Sequence, residues 1–187
     1  VKHFPGHGDT AVDPHVGLPT VSKTVEELLT SELIPFQSAI AGREGEGVPA
    51  VMVAHILMTA IDPDHPASLS QAVVTGLLRE QLGFDGVVFT DDLTMGAITE
   101  NYGLDEAAVL ALEAGCDVLL VCHNEGDLAL ARQAVLDGVA SGRLTEARID
   151  QSVYPILPLK QAYGLTNDPI ETPDLQALNQ EIAALNA

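Results

Sequence analysis

The stretch Gly86-Val-Val-Phe-Thr-Asp-Asp92 joins a short apolar run to two consecutive acids, and it indicates the class of fold. The run is continuously apolar instead of alternating, which is typical of a parallel strand buried on both faces. Ala50-Val-Met-Val-Ala54 and Val118-Leu-Leu-Val121 have the same character, and Val1 to Phe4 fits the end of a fourth strand. The sequence therefore predicts a parallel sheet, whose functional groups should follow the ends of its strands.

Segments with the helical spacing of apolar residues lie between and after these strands. Thr24 to Ile40 opens with the capping-box pattern Thr24-Val-Glu-Glu27, and Ser70 to Leu82 ends before Gly83, a residue suited to a helix C-terminus. Further helices are predicted over Asp105 to Ala114, Glu125 to Ala140 and Thr145 to Tyr163. The alternation predicts βα units, and it fits either half of a (β/α)8 barrel or an open, doubly wound sheet.

The character of the sequence changes after Leu165. Thr166-Asn-Asp-Pro169 and Glu171-Thr-Pro173 are typical of a linker, and Asp174 to Leu185 predicts a short helix without a core of its own. We therefore place the main folded unit in residues 1–165. Residues 166–187 are predicted to form a linker and a short helix, which fits the start of a truncated second domain.

The charge of the chain excludes several classes of partner. Its 187 residues include 8 lysines and arginines against 27 aspartates and glutamates, for a net charge of −19. Such a surface repels nucleic acid and anionic lipid. No apolar run approaches the roughly 20 residues of a membrane-spanning helix. The sequence does not distinguish a cytoplasmic from an exported protein.

The first fifteen residues are rich in groups that can carry chemistry, with three histidines, one lysine and two aspartates. Within Lys2-His-Phe-Pro-Gly-His-Gly8, the run Pro5-Gly-His-Gly8 is predicted to form a loop. Asp13 and His15 are separated by one residue, so the carboxylate can accept a bond from one imidazole nitrogen. Such a bond raises the basicity of the imidazole and leaves its other nitrogen free for proton transfer.

Polar residues also follow the other predicted strands. In Thr90-Asp-Asp-Leu-Thr-Met95, we expect one acid of the Asp91–Asp92 pair to face the site and the other to bind the backbone. His55 and His123 each follow a strand. A single histidine in that position serves about as well for a structural bond as for a ligand contact.

These motifs resemble those of the β-N-acetylhexosaminidases of glycoside hydrolase family 3. The resemblance is carried by the segments 2–8, 13–15 and 90–95, and also by Val51-Met-Val-Ala-His55 and Arg148-Ile-Asp-Gln-Ser-Val153. It extends from Val1 to about Leu165. It implies an α/β fold, the C-terminal half of a (β/α)8 TIM-type barrel with four βα units, a terminal helix and a tail.

The resemblance also implies the roles of individual residues. Asp91 matches the nucleophile that forms a covalent glycosyl-enzyme, His15 matches the acid/base, and Asp13 matches the aspartate paired with it. Lys2 and His3 match the pair that holds hydroxyls of the N-acetylglucosamine ring. Four more residues are candidates for the site without an assigned role: His7, His55, Asp92 and Met95. No cofactor and no metal ion is implied.

The activity implied is the removal, with retention, of terminal β-linked N-acetylglucosamine from peptidoglycan-derived muropeptides or chitooligosaccharides. The family's barrel has strands before the motif at Lys2, with residues that grip the sugar. We therefore expect a truncated sequence, whose missing partner is the N-terminal half of its own barrel. The chain alone is expected to be inactive, and to aggregate or pair with a second copy through its uncovered sheet edges.

Three alternatives remain open at this point. A β-N-acetylglucosaminide phosphorylase could use the same scaffold, because a neutral imidazole repels an incoming anion less than a carboxylate does. A metal-dependent hydrolase could use His3, His7, Asp13 and His15, since loops rich in histidine bind zinc. The third alternative is a sugar-binding or assembly domain of the same fold without catalysis.

Overall fold

The chain folds around a parallel sheet. In a computed structural model, which describes residues 1–10, 12–42, 47–169 and 172–185, the sheet has the order β2 (Ala50–Val53), β4 (Val87–Asp92), β5 (Val118–Leu120). Both pairs of neighbouring strands run parallel, with Met52 beside Phe89 and Phe89 beside Val118. The predicted parallel α/β architecture is therefore confirmed.

The N-terminal segment extends this sheet on the free side of β2. The Phe4 N–H donates to the Met52 carbonyl at 2.8 Å, and the Ala54 N–H donates to the Phe4 carbonyl at 2.8 Å. Only Phe4 forms a parallel bridge, with Val53. The predicted fourth strand is thus present as a short edge segment. It ends at Phe4, where the chain enters a loop.

The other elements surround this sheet or follow it. They are β1 (Thr20–Val21), α1 (Val25–Leu29), α2 (Ile34–Ala41), β3 (Leu57–Met58), a 3₁₀ turn (Ala67–Leu69), a π-helix (Ala72–Gln81), α3 (Gly96–Thr99), α4 (Leu104–Ala114), α5 (Glu125–Ala140), α6 (Glu146–Ala162) and α7 (Leu175–Leu185). A second, two-stranded parallel sheet joins β1 to β3. The sequence analysis missed this sheet because each of its strands has two residues, too few to show a period.

The prediction of one helix over residues 24–40 is wrong, because the segment divides into α1 and α2. Thr24 does form the predicted capping box, since its own N–H donates to the Glu27 carboxylate at 2.8 Å. Pro35 lies in the first turn of α2. Proline has no N–H and is tolerated there, whereas inside a helix it clashes with the preceding turn. The chain therefore ends one helix and starts another.

The helix predicted over residues 70–82 is also only partly present. Residues 67–69 form the 3₁₀ turn, and the π-helix begins at Ala72. The predicted helices over residues 105–114, 125–140 and 145–163 are confirmed within one residue at each end, as α4, α5 and α6. Thr145 caps α6 by accepting the Arg148 N–H at 3.1 Å.

The two faces of the main sheet have different environments. Successive side chains of a strand point to opposite faces. Val51, Val53 and Val88 are completely buried in the core beneath the helices. Phe89 and Asp91 belong to the other face and are partly exposed. A groove on that face is lined by Lys2 and Met52 with Phe89. Asp91 thus lies at the carboxyl end of β4, on the face of the sheet away from the helices.

The amino ends of the strands are held by a buried ionic network. The Asp117 carboxylate, whose side chain is 1% exposed, accepts bonds from Arg79 at 2.6 Å and from the Val88 N–H at 2.8 Å. Its other oxygen accepts the Ser152 hydroxyl at 2.9 Å. This network ties β4, β5, the π-helix and α6 together at the end of the sheet away from Asp91.

The last described helix, α7, buries none of its residues. Among the described residues, no helix is long and apolar enough to cross a membrane.

Candidate active site

The carboxyl end of β4 brings His3 and Asp91 together. The Nε2 atom of His3 lies 3.7 Å from Oδ2 of Asp91, and the two side chains are 30% and 20% exposed. Burial lowers the pKa of His3 below its ordinary 6.5, although the charge of Asp91 opposes this effect. His3 is therefore mainly neutral at neutral pH, and it can exchange hydrogen bonds with a hydroxyl.

The consecutive acids Asp91 and Asp92 have different environments. One oxygen of Asp91 accepts the Asp92 N–H at 2.9 Å, and the other faces His3. Asp92 is 8% exposed and binds its own surroundings. It accepts the hydroxyl of Thr94 at 2.7 Å and the N–H of Cys122 at 3.3 Å. The sequence analysis expected such a division between the two acids.

Asp92 is also the point where the ends of β4 and β5 are joined. His123 lies 2.9 Å from its Oδ2 atom. Burial is the largest influence and raises the pKa of Asp92, but the bonds from Thr94 and Cys122 and the charge of His123 outweigh it and lower the pKa. Asp92 is thus a carboxylate that fixes the strand ends. The sequence left His123 open between a structural bond and a ligand contact, and the structure shows the structural bond. The contribution of Thr94 was not predicted, although an Asp-x-Thr turn after a strand was the available signal.

His55 lies directly beneath the two acids and is 1% exposed. Its Nε2 lies 3.0 Å from the Asp92 carbonyl, and its Nδ1 lies 2.7 Å from the Ser68 hydroxyl. Because a carbonyl only accepts, Nε2 carries the proton and Nδ1 accepts from Ser68. Burial lowers the pKa of His55, in agreement with a neutral ring. Both nitrogens are used within the protein, so His55 supports the site from below.

Asp13 and His15 form a pair on the loop that follows the motif at Lys2. Oδ1 of Asp13 lies 2.8 Å from Nδ1 of His15 and accepts the His15 backbone N–H at 2.9 Å. The backbone bond, and then the bond to the ring, lower the pKa of Asp13. The side chains of His15 and Asp13 are 74% and 64% exposed. Because Nδ1 is bound, Nε2 is the nitrogen left for proton transfer.

This loop rests on the start of α3, which follows the acids of β4. The Ala97 N–H donates to the Pro14 carbonyl at 3.0 Å. A Cβ atom on Gly96 would lie 2.7 Å from the His15 carbonyl oxygen, so the close approach needs glycine at this position. The structure thereby brings the Asp13–His15 pair to the same strand end as Asp91.

The remaining candidates are at the edges of this site. Lys2 is exposed and lies close enough to His3 to lower its pKa. His7 meets His3 edge to face, with ring centroids 6.1 Å apart, and its Nδ1 lies 2.9 Å from the Thr10 hydroxyl. Met95 is 7% exposed and precedes α3 as its cap residue. Its position favours a role in packing.

The histidines proposed for a metal site contact different groups in the described part of the chain. No group of three His, Cys, Asp or Glu side chains that could hold a metal occurs among the residues that the structure describes. His3 faces Asp91, His7 pairs with Thr10, and the Nδ1 atom of His15 is bound to Asp13. The histidines of the loop thus have separate partners. What the arrangement offers is one carboxylate and one imidazole at the mouth of the sheet.

Known proteins are similar to this chain in sequence and in fold. A relative from Tolumonas auensis named beta-hexosaminidase is 40% identical over 139 residues, which are 74% of this chain and 39% of the relative. The solved structure of a family 3 beta-N-acetylglucosaminidase from Paenibacillus sp. str. FPU-7 matches with a TM-score of 0.84 and 49% identity, over 93% of this chain and 33% of that one. A structure titled beta-glucoside phosphorylase BglX matches with a TM-score of 0.80 and 27% identity, over 94% of this chain and 32% of that one.

This chain therefore spans about a third to two fifths of the length of these proteins. The model of the glycosyl hydrolase family 3 N-terminal domain matches residues 1–159. The prediction of a partial (β/α)8 barrel is confirmed by these matches together with the parallel sheet. The chain belongs to glycosyl hydrolase family 3, within the N-terminal domain of that family.

Proposed function

We propose that the protein is a retaining β-N-acetylhexosaminidase, with Asp91 as nucleophile and His15, paired with Asp13, as acid/base. The observation that carries the proposal is the position of the Asp13–His15 loop against α3, directly after the acids of β4. Retention needs a carboxylate within reach of the anomeric carbon and a proton donor beside the leaving oxygen. The names of the relatives from Tolumonas and Paenibacillus support the same activity.

In the first step, the Oδ2 atom of Asp91 attacks the anomeric carbon while protonated His15 gives its Nε2 proton to the leaving oxygen. The bond between the anomeric carbon and that oxygen breaks, and a glycosyl-aspartate forms. In the second step, the now neutral His15 takes a proton from water. The resulting hydroxide attacks the anomeric carbon and releases Asp91. Two displacements restore the original configuration.

Asp13 has a defined part in this cycle. Its carboxylate holds the Nδ1 proton of His15, at 2.8 Å, so that the imidazolium ion is stabilised before the first step. The same bond keeps Nε2 free to accept a proton in the second step. The lowered pKa of Asp13 keeps its own proton off throughout. The pair therefore replaces the carboxylic acid that most glycosidases use.

Recognition of the sugar is assigned to the groups around Asp91. Neutral His3 and the ammonium group of Lys2 would bind ring hydroxyls at the carboxyl ends of the strands, beside Asp91. The substrates proposed are terminal β-linked N-acetylglucosamine residues of peptidoglycan-derived muropeptides or of chitooligosaccharides. Turnover of cell-wall material in a bacterium follows as the proposed context.

A phosphorylase is the second candidate, and one specific observation favours it. The acid/base is a histidine, which is neutral after the first step and repels phosphate less than a carboxylate would. A phosphorylase is also among the similar structures. In that case phosphate replaces water in the second step, and the product is a sugar 1-phosphate.

The test is turnover of p-nitrophenyl N-acetyl-β-glucosaminide by the full-length protein, with and without phosphate. We expect Asp91→Ala to abolish turnover and His15→Ala to reduce it by about 10² to 10⁴-fold. Sugar 1-phosphate formed in phosphate buffer would identify the phosphorylase. Wild-type turnover in both variants would overturn the proposal.

A further inference from the structure

Lys23 connects the loop of the proposed acid/base to the body of the protein. Its Nζ atom lies 2.9 Å from Oδ2 of Asp9 and also donates to the carboxylate of Glu32. Asp9 belongs to the loop that carries Asp13 and His15. Lys23 follows β1, and Glu32 lies in the turn between α1 and α2. The ammonium group of Lys23 therefore links the loop to the turn between α1 and α2.

Glu32 is held in place by contacts other than the one to Lys23. Its side chain is 17% exposed and also accepts the hydroxyl of Ser31. It packs against Gly6, where an added Cβ would lie 2.7 Å from Cβ of Glu32. The bonds to Glu32 and then to Asp9 raise the pKa of Lys23, and the bond to Lys23 is the main cause that lowers the pKa of Glu32. Lys23 and Glu32 are therefore both charged at neutral pH.

Few hydrogen bonds or ion pairs join the described part of this loop to the rest of the protein. Within the described residues from His7 to Gly17, two bonds reach other elements: the ion pair between Asp9 and Lys23, and the bond from the Ala97 N–H to the Pro14 carbonyl. These two points lie on either side of Asp13. The bonds of His7 to Thr10 and of Asp13 to His15 are local to the loop.

We propose that Lys23 is a positioning residue for the Asp13–His15 pair. This inference rests on the proposed function. A segment fixed on both sides of Asp13 holds the exposed imidazole in one place, whereas a segment fixed only at Pro14 can swing about that point. Proton transfer to the leaving oxygen depends on this geometry, and a shift of about 1 Å can cost on the order of 10²-fold in rate. Lys23 thus acts through Asp9 on the step that needs His15.

A purely structural role predicts a different result. The ion pair of Lys23 with the exposed Asp9 stabilises the fold very little. If Lys23 only stabilised the fold, its loss would affect all substrates alike. If it positions His15, its loss affects mainly those substrates whose leaving group needs a proton.

The experiment measures kcat/KM of the full-length protein for two N-acetyl-β-glucosaminides. The phenyl glycoside has a poor leaving group that needs protonation, and the 2,4-dinitrophenyl glycoside has one that departs without it. The variants are Lys23→Met and Asp9→Asn, with Lys23→Arg as the conservative replacement. Lys160→Met, at an exposed site in the last turn of α6, is the matched control. His15→Ala provides the reference for loss of the acid.

We expect Lys23→Met and Asp9→Asn to lower kcat/KM about tenfold for the phenyl glycoside and less than about twofold for the dinitrophenyl glycoside. Lys23→Arg should recover most of the loss, and Lys160→Met should match the wild type. Asp9 is 63% exposed and its replacement keeps the bond from Lys23 to Glu32, so Asp9→Asn tests the bridge in a folded protein.

Equal losses for both substrates, or no loss in Asp9→Asn, would overturn the positioning role. A separate outcome bears on the proposed function itself. If His15→Ala also loses activity equally for both substrates, His15 is not the acid, and the proposed mechanism fails before the role of Lys23 is in question.

Discussion

The Nδ1 atom of His15 lies 2.8 Å from Oδ1 of Asp13, and the same oxygen accepts the backbone N–H of His15 at 2.9 Å. The two bonds fix the imidazole to a carboxylate that stays ionised, because they lower the pKa of Asp13 below its ordinary 3.8. As pH falls, the pair is therefore lost only below the usual range of an aspartate. Protonation of Asp13 should therefore not cause the fall of activity on the acidic side of the pH–activity profile.

Replacing Asp13 with asparagine tests this pair. An amide has no charge to stabilise the imidazolium ion, and it can turn its NH₂ group towards Nδ1 and so move the ring proton. We expect Asp13→Asn to lower kcat/KM for the phenyl glycoside about 10²-fold, with a much smaller effect on the dinitrophenyl glycoside. Steady-state kinetics on both substrates measure this. A variant with wild-type values would exclude Asp13 from the mechanism.

Gly96 offers a second test of the loop position. A Cβ atom there would lie 2.7 Å from the His15 carbonyl oxygen, so alanine must push the loop away from α3. We expect Gly96→Ala to lower kcat/KM for the phenyl glycoside about tenfold. Gly76→Ala is the control, because its Cβ would come no closer than 3.9 Å to the nearest atom, the Gln71 carbonyl oxygen. Equal activity of the two variants would contradict the close contact.

His55 predicts a dependence of stability on pH. Burial lowers the pKa of His55 below 6.5, so the folded protein resists a proton that the unfolded chain accepts. The stability that neutral His55 contributes is therefore fully present above about pH 6.5. It is lost as pH drops towards the pKa of His55 in the folded protein. We expect the wild-type Tm to decrease over this range, and the decrease to be smaller in His55→Gln. Thermal unfolding at several pH values measures it, and identical slopes would contradict the assignment.

The network at the amino ends of the strands should affect stability without affecting chemistry. Asp117 has 1% of its side chain exposed and is bound by Arg79, Ser152 and the Val88 N–H. Its removal leaves the Arg79 guanidinium group with backbone carbonyls only and no negative charge to pair with. We expect Asp117→Ala to lower the free energy of unfolding by about 3 to 5 kcal/mol, as breaking a buried pair does.

Urea unfolding measures this change, with Asp150→Ala on the exposed side of α6 as control. The kcat of folded Asp117→Ala should match the wild type, because Asp91 lies at the opposite end of β4. A selective loss of kcat would contradict the separation of the two ends.

Much of the fold could be predicted because strands buried on both faces have continuous apolar runs, as in residues 50–54 and 86–90. The prediction failed where local exceptions override the period. Pro35 divides the first helix, and β1 and β3 are too short to show a period. The edge segment 1–4 was predicted as the end of a strand, and its hydrogen bonds to β2 confirm it.

The site was predictable to the extent that its residues are close in sequence. Asp13 and His15 are two residues apart, and their bond follows from that spacing. The bridge from Asp9 to Lys23 and the bond from His55 to the Asp92 carbonyl join residues that are far apart in the chain. Composition and periodicity hold no information on such pairs, because the fold alone brings them together.

In the proposed mechanism, Asp91 forms a covalent bond to the sugar. A 5-fluoro-N-acetyl-β-glucosaminyl fluoride would accumulate the glycosyl-enzyme, and peptide mapping by mass spectrometry would locate the sugar. We predict a single adduct on Asp91, absent from Asp91→Asn and absent from the neighbouring Asp92, whose oxygens are bound to Thr94, Cys122 and His123. An adduct on Asp92 or on another residue, or no adduct in an active enzyme, would contradict the assignment of Asp91 as the nucleophile.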